Sequence, residues 1–409
     1  MKTKGKQRLK FGRYDYAAWT TFAAYACASL AVPLVLVQMA GDLDFPLDKG
    51  GMSTGGVMQM VRSLAMCLSM AVAGFAAAKW GNRRSIGVSL CLMGAGILLA
   101  AFAKSWQAVV PMLLVAGLGE GVIEGLGTPF VQDLHDEEPG RYVNFAHGFW
   151  SLGIFGFVIA GGLLLHAGAS WRIILALVAA ITLLPVLLVF LPSRKPYVEK
   201  SIGKPTASVV KSAVEILRRG KFWYFFAAMV FAGGGEYCLT FWCASFIQLN
   251  FAASALAGAA GTAFFSAGMF LGRTTFGALV GQRHLKTLIV AVGVFGVAVS
   301  LLIPPFAQHL GAFPAWAVLP TLFLLLFLSG IGSAPFWPSI QSLAVDRMPE
   351  IDSTMAFIIL SCAGVPGCGI FTWLMGVVGD HAGLDTSFYL VPLCYVTMVL
   401  LVLAGDRRK

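Results

Sequence analysis

Apolar residues run through this chain in long blocks separated by short polar turns. Taken in order, the blocks fall at 16–40, 53–78, 85–103, 108–134, 142–166 and 171–192, then 222–248, 256–281, 285–307, 315–343, 353–379 and 386–404. Each approaches or exceeds the roughly 20 residues a helix needs to cross a hydrocarbon core about 30 Å thick. The pattern predicts an all-α polytopic membrane protein with twelve transmembrane helices. One long polar interruption follows the sixth block. It divides the chain into an N-terminal six-helix half at 1–192, a basic linker at 193–221 and a C-terminal six-helix half at 222–409.

Composition agrees with the pattern. The chain is 58% hydrophobic and 12% charged, with a mean hydropathy of +0.81, whereas soluble domains carry about a quarter charged residues. A net charge of +10 would suit a nucleic-acid binder, but the basic residues cluster beside apolar blocks, and membrane topology accounts for them without nucleic acid. They gather in the N-terminal tail, in loops 79–84 and 282–286, in Arg407-Arg408-Lys409, and in the linker. The linker holds Arg194, Lys195, Lys200, Lys204, Lys211, Arg218, Arg219 and Lys221 against Glu199 and Glu215. Alternating spans put all of these on one side, so the positive-inside rule makes both termini cytoplasmic. Loops 135–141 and 346–352 are net acidic against that trend. The first block is too long for a signal-peptide core, so the basic tail is retained. Short loops and tails point to a bacterial inner membrane, and a monomer is expected. All eight cysteines fall inside blocks, none at metal-ligand spacing, and read as buried free thiols with no metal or cofactor.

The fourth and tenth blocks repeat each other. At one register Gly121, Pro129, Gln132 and Leu134 match Gly330, Pro338, Gln341 and Leu343, while Glu124 falls opposite Ser333. Gly74 and Gly277 relate the second block to the eighth. Two repeats with a small-molecule substrate held between them is an arrangement found in large transporters.

Four stretches carry a family resemblance: GLGEGVIEGLGTPFV (117–131) with NFAHGFWSLG (144–153), GGEYCLTFWCASFI (234–247), GRTTFGALVG (272–281) and GIGSAPFWPS (330–339). The chain resembles the major facilitator superfamily over its whole length, and within it the fucose-permease-like branch of sugar–proton symporters. The resemblance implies the major facilitator fold and proton-coupled solute uptake by alternating access, with sodium the other ion that could drive it. It also implies gating charges at the loop signature between helices two and three. Here that signature reads GFAAAKWGNRR (74–84), which keeps Lys79 and Arg83 but has Ala78 where the family carries aspartate. Asp133 and Asp346 are then the candidates for substitute carboxylates, and Arg273 completes the expected gating set. A first-helix acid found in that branch is also absent from 30–36.

Charges deep in the blocks are few, and buried charges in a membrane need partners or mark a pathway. Glu120 and Glu124 lie i, i+4 on one helix face. Glu124 aligns with the branch's fourth-helix acid, which implies a proton-coupling role. Glu120 either relays the proton or pairs with Arg62. Arg62, in turn, pairs either with one of these acids or with an anionic cargo such as a sugar acid. Gln59, Asn144 and His147 match polar binding positions of the branch. Glu236 follows three glycines, and Trp150, Trp242 and Trp337 stand near these groups as faces a sugar ring could stack on. A drug or metabolite exporter is the rival function, and the absence of a Gly-Pro pair before the glycines of 153–162 argues against it. An enzyme would need a nucleophile–base or metal motif, and the sequence has none.

Overall fold

A computed structural model describes residues 10–135, 139–191, 197–199, 202 and 206–407. The described chain is helical throughout: α1 (Arg13–Asp42), α2 (Met52–Trp80), α3 (Asn82–Ala101), α4 (Trp106–Leu134), α5 (Pro139–His166), α6 (Trp171–Phe190), α7 (Thr206–Leu217) and α8 (Gly220–Asn250) are followed by α9 (Ala255–Leu279), α10 (Leu285–Ser300), α11 (Ile303–Gln308), α12 (Ala315–Ser333), α13 (Phe336–Arg347), α14 (Ser353–Ala382), α15 (Leu384–Ser387) and α16 (Leu390–Gly405). Several start where a turn supplies a capping oxygen. Ser105, Ser170, Ser254 and Asp352 accept from the first free amides of α4, α6, α9 and α14, satisfying donors that have no intrahelical partner.

Among the described residues, eleven helical stretches are long and apolar enough to cross a membrane. The expected twelfth, α8, is long enough at 31 residues, but Gly233, Gly234, Gly235, Glu236 and Tyr237 dilute its hydropathy. Two expected spans are broken. The block at 315–343 is two helices, α12 and α13, separated at Ala334 and Pro335. Pro335 and Pro338 both lack the amide that would continue the ladder. The block at 285–307 breaks between α10 and α11, ahead of Pro304 and Pro305. Within the linker, α7 is a helix that the polar composition did not announce, and Ile216 on it is fully buried. Arg194, Lys195, Lys200 and Lys204 lie outside the described residues.

The thiol expectation also needs correction. Cys67 and Cys362 are half-buried and Cys91 is exposed, while the other five are buried.

Packing follows small residues. Gly117 and Gly121 of α4 press on the backbone of α2, and a Cβ on Gly121 would sit 2.0 Å from the Met66 carbonyl. Gly330 of α12 does the same to α9, where a Cβ would sit 2.1 Å from the Phe265 carbonyl. The matching glycines of the sequence repeat thus seal equivalent helix pairs. Bare backbone is what lets helices approach closely where lipid offers no hydrophobic drive.

Three places join the first six helices to α8–α16 by hydrogen bonds among the described residues. The Asp380 carboxylate accepts the Met52 and Ser53 amides, each at 2.8 Å. The Tyr237 hydroxyl donates to the Ser29 carbonyl at 3.3 Å, and the Cys67 thiol donates to the Cys362 carbonyl at 3.3 Å. The first lies at the end carrying the α1–α2 and α14–α15 turns, here the loop end. The other two lie deeper in the bundle. At the opposite, linker end the bonds run within one set. Asn82 and Tyr197 donate to Asp133 at 2.7 and 2.8 Å. Lys286 and Arg347 both bind Asp406, Lys286 at 2.6 Å.

Candidate functional site

The glycine stripe of α4 sets the site. Because Gly117 and Gly121 face α2, the adjoining face of α4 presents Glu120 to the side chain of Arg62. The Arg62 guanidinium donates to both Glu120 carboxylate oxygens, with Nε at 2.8 Å from Oε2, and also to the Ala28 carbonyl at 2.7 Å. Arg62 is 1% and Glu120 0% exposed. A bidentate, fully buried pair is what a guanidinium fork is built to make. In this structure Arg62 is held by Glu120, not by Glu124. Gln59 is buried one turn earlier and donates to the Ser63 hydroxyl at 3.0 Å. Among the described residues its Oε1, like Arg62 Nη1, has no hydrogen-bond partner.

Glu124 has a different setting. It is half-buried, the Tyr25 hydroxyl of α1 lies against its carboxylate, and among the described residues no cation comes within ion-pairing distance. Arg273 and Glu236 of the other helix set lie near enough to act on it electrostatically. These two pair with each other: Arg273 Nη2 donates to Glu236 Oε1 at 3.2 Å, and Nε donates to the Ala334 carbonyl at 3.3 Å, at the α12–α13 break. The Arg273 side chain thus does not stay at the helix end where its position in the sequence places it. It reaches inward to an acid in the middle of α8 and holds the broken carbonyl of α12.

His147 shares a 2.9 Å hydrogen bond with Thr128 of α4, and its ring lies 4.5 Å from that of Phe22. The Trp150 ring packs 4.5 Å from Tyr25. Of Asn144 only the backbone is described. Trp337 lies over Gly364, where a Cβ would be 2.4 Å from the ring. Trp242 is fully buried and gives its N–H to the Thr372 carbonyl at 3.0 Å, so it offers no face to cargo in this state.

The remaining gating candidates stay within their own sets. Lys79 is exposed beside Trp80, Arg83 donates to the Tyr14 hydroxyl at 3.1 Å, and Asp346 binds the adjacent Arg347 at 2.7 Å. Asp133 accepts from Asn82 and Tyr197. Beside Asp133, the linker brings a second carboxylate to the turn that lacks an aspartate at position 78. Glu199 accepts the Asn82 amide at 2.8 Å beneath Gly81, whose φ of +83° and lack of a Cβ admit it. Burial holds the Glu199 carboxyl above its usual range, despite the amides of Asn82 and Arg83.

Sequence reasoning did not single out Tyr25, Tyr237 or Thr128. A tyrosine in an apolar run reads as packing, and only the fold puts these hydroxyls against Glu124, α1 and His147.

Comparison with known proteins adds the family. The profile of the Major Facilitator Superfamily matches residues 17–313. No curated protein matches the chain. Among solved structures, a variant of the fucose:proton symporter FucP of E. coli is similar, with 20% identity, 96% of this chain and 98% of that one covered, and a TM-score of 0.64. The nucleoside transporter NupG gives 15% identity, coverage of 97% and 100%, and a TM-score of 0.75. The xylose transporter XylE from E. coli gives 13% identity, coverage of 97% and 99%, and a TM-score of 0.73.

Proposed function

The chain belongs to the Major Facilitator Superfamily and is a secondary transporter, not an enzyme, and we propose that it carries a small, neutral, polar solute together with protons by alternating access. The cargo class is a sugar or sugar derivative, taken up into the cytoplasm, with both termini on the cytoplasmic side. The two helix sets act as the moving halves around the 193–221 linker.

The observation that carries this reading is the contrast among the three central glutamates. Glu120 and Glu236 each have an arginine, and Glu124 has a tyrosine hydroxyl. A half-buried carboxylate without a cation is the group best placed to take up and release a proton during a cycle. The same count argues for a neutral cargo. The two central guanidiniums, Arg62 and Arg273, each already face a carboxylate, so among the described residues a carboxylate or phosphate on the solute would meet no free central guanidinium. His147, Thr128, Gln59 and the Trp150 ring then supply the hydrogen bonds and aromatic surface that a polyol ring needs. Fucose and xylose, carried by two of the similar structures, are neutral sugars and consistent with that class.

Thermal-shift screening of the purified protein against neutral sugars, nucleosides, sugar acids and amphipathic cations tests it, because ligand binding stabilises by mass action. Neutral polyols should raise the melting temperature. A response confined to sugar acids or cations would overturn the cargo class.

A further inference from the structure

A proline inside a helix removes one amide and so leaves the carbonyl four residues earlier without its intrahelical donor. In α1, Pro33 frees the Ser29 carbonyl, and in α14, Pro366 frees the Cys362 carbonyl. In lipid such a carbonyl lacks bulk water and is re-satisfied by a neighbouring donor, an ordered water or a local adjustment of the helix. Both find a donor in the opposite helix set. Tyr237 of α8 donates its hydroxyl to Ser29, and Cys67 of α2 donates its thiol to Cys362, each at 3.3 Å. Among the described residues, the carbonyls freed in the same way by Pro111, Pro129, Pro185 and Pro320 receive no side-chain donor. Among the described residues, the Ala334 carbonyl freed by Pro338 takes its donor, Arg273, from its own set, whereas the Ser29 and Cys362 carbonyls take theirs across the two sets.

We propose that Tyr237 and Cys67 are gating residues, and that the carbonyls freed by Pro33 and Pro366 are the latch points they grip when the loop end is closed. A side-chain donor on a backbone acceptor makes a bond that can be given up cheaply. When the sets part, the hydroxyl can turn to water or cargo in the opening cavity, and the helix ladder on either side of the proline is undisturbed. A salt bridge at the same place would leave two bare charges on opening, at a much higher cost. The Tyr237 latch also sits one residue from the Ala28 carbonyl that Arg62 grips. Both loads fall on the same kink of α1, so movement of α8 is felt at the Arg62 and Glu120 pair. Asp380 on the amides of Met52 and Ser53 closes the same interface at the loop end.

The proposal rests on alternating access but not on the identity of the cargo, and its test uses neither transport nor substrate. Spin labels are placed through non-canonical amino acids at the exposed positions Lys49 and His309, one in each set at the loop end, leaving the native thiols in place. Electron–electron distance distributions are then recorded in lipid nanodiscs. Tyr237→Phe, which removes only a hydroxyl, should raise the ratio of the long to the short distance about fivefold, as loss of one neutral hydrogen bond implies.

Pro33→Ala returns the Ser29 carbonyl to an intrahelical amide and should do the same. Both changes remove one and the same bond, so the double variant should remain at about fivefold, not reach about twenty-five-fold. Cys67→Ala should shift the ratio less, about twofold, since a thiol is a weak donor, and Cys67→Ser should restore the short distance.

An unaltered ratio in Tyr237→Phe and Pro33→Ala, or effects that multiply in the double variant, overturns the latch. Two exchanging distances in unaltered proportion would sink the latch alone. A single distance, unmoved by any variant, pH or solute, would remove alternating access along with it.

Discussion

Arg62 and Glu120 neutralise each other completely inside the first helix set, at 1% and 0% exposure, and Glu124, one turn further along the same helix, is excluded from the pair. Two glutamates that look equivalent in the sequence are thus separated by geometry into one paired with an arginine and one that, among the described residues, has no cation within ion-pairing distance.

The pair itself is testable. Removing one partner strands a buried charge, so Arg62→Gln and Glu120→Gln should each cost about 3–5 kcal/mol of stability. The double variant should be more stable than either single one. A thermal or denaturant double-mutant cycle reads the coupling directly, and additive effects would refute it.

Arg273 links Glu236 to the break in α12, so its loss should be felt in the cycle more than in the fold. Hydrogen bonds to charged groups contribute about 1.5–3 kcal/mol, which is about tenfold or more in an equilibrium. Arg273→Gln should slow uptake in cells by at least about tenfold, and adding Glu236→Gln should recover part of it by removing the stranded acid. Equal rates in wild type and Arg273→Gln would show that the pair is idle.

Outside the spans, Asp406 gathers Lys286 and Arg347 from α10 and α13. Burial pushes its carboxyl up, but the hydrogen bonds and charges of these two cations outweigh it and hold the group below its ordinary range. The folded protein therefore binds this proton less readily than the unfolded chain. The stabilisation is complete above the ordinary carboxylate pKa of about 4 and is lost as pH falls through the lower folded value. Asp406→Asn should lower the melting temperature at pH 6, and the gap to wild type should close toward pH 3. A gap that widens in acid would reverse the sign.

Much of this was legible in the chain. Block lengths give the spans, and the glycines at 121 and 330 announce the paired helix contacts. The acid at position 124 stands out by its cost in an apolar helix. What was hidden depended on direction. Glu120 and Glu124 share a face at i, i+4, so spacing alone could not say which one Arg62 would reach; the rotation of α4 set by its glycine stripe decided it. Arg273 read as an end charge because its Cα lies toward the linker end, yet its long side chain reaches back to Glu236. At the turn that lacks the loop aspartate, Asp133 was legible as a nearby carboxylate, while Glu199, more than a hundred residues away in sequence, had no local pattern pointing to it. The break at Ala334 and Pro335 is marked by two prolines, but the apolar run continues through it and masks the interruption.

The central claim is that Glu124 carries the proton that drives a neutral solute. Purified protein in liposomes, supplied with neutral sugars and nucleosides in turn under a weakly buffered medium, reports it through external pH. Wild type should alkalinise the medium when its solute is added, and Glu124→Gln should abolish that signal and concentrative uptake while still exchanging labelled for unlabelled solute. Concentrative uptake that survives unchanged in Glu124→Gln, or uptake of a neutral solute without proton movement in wild type, would contradict the account.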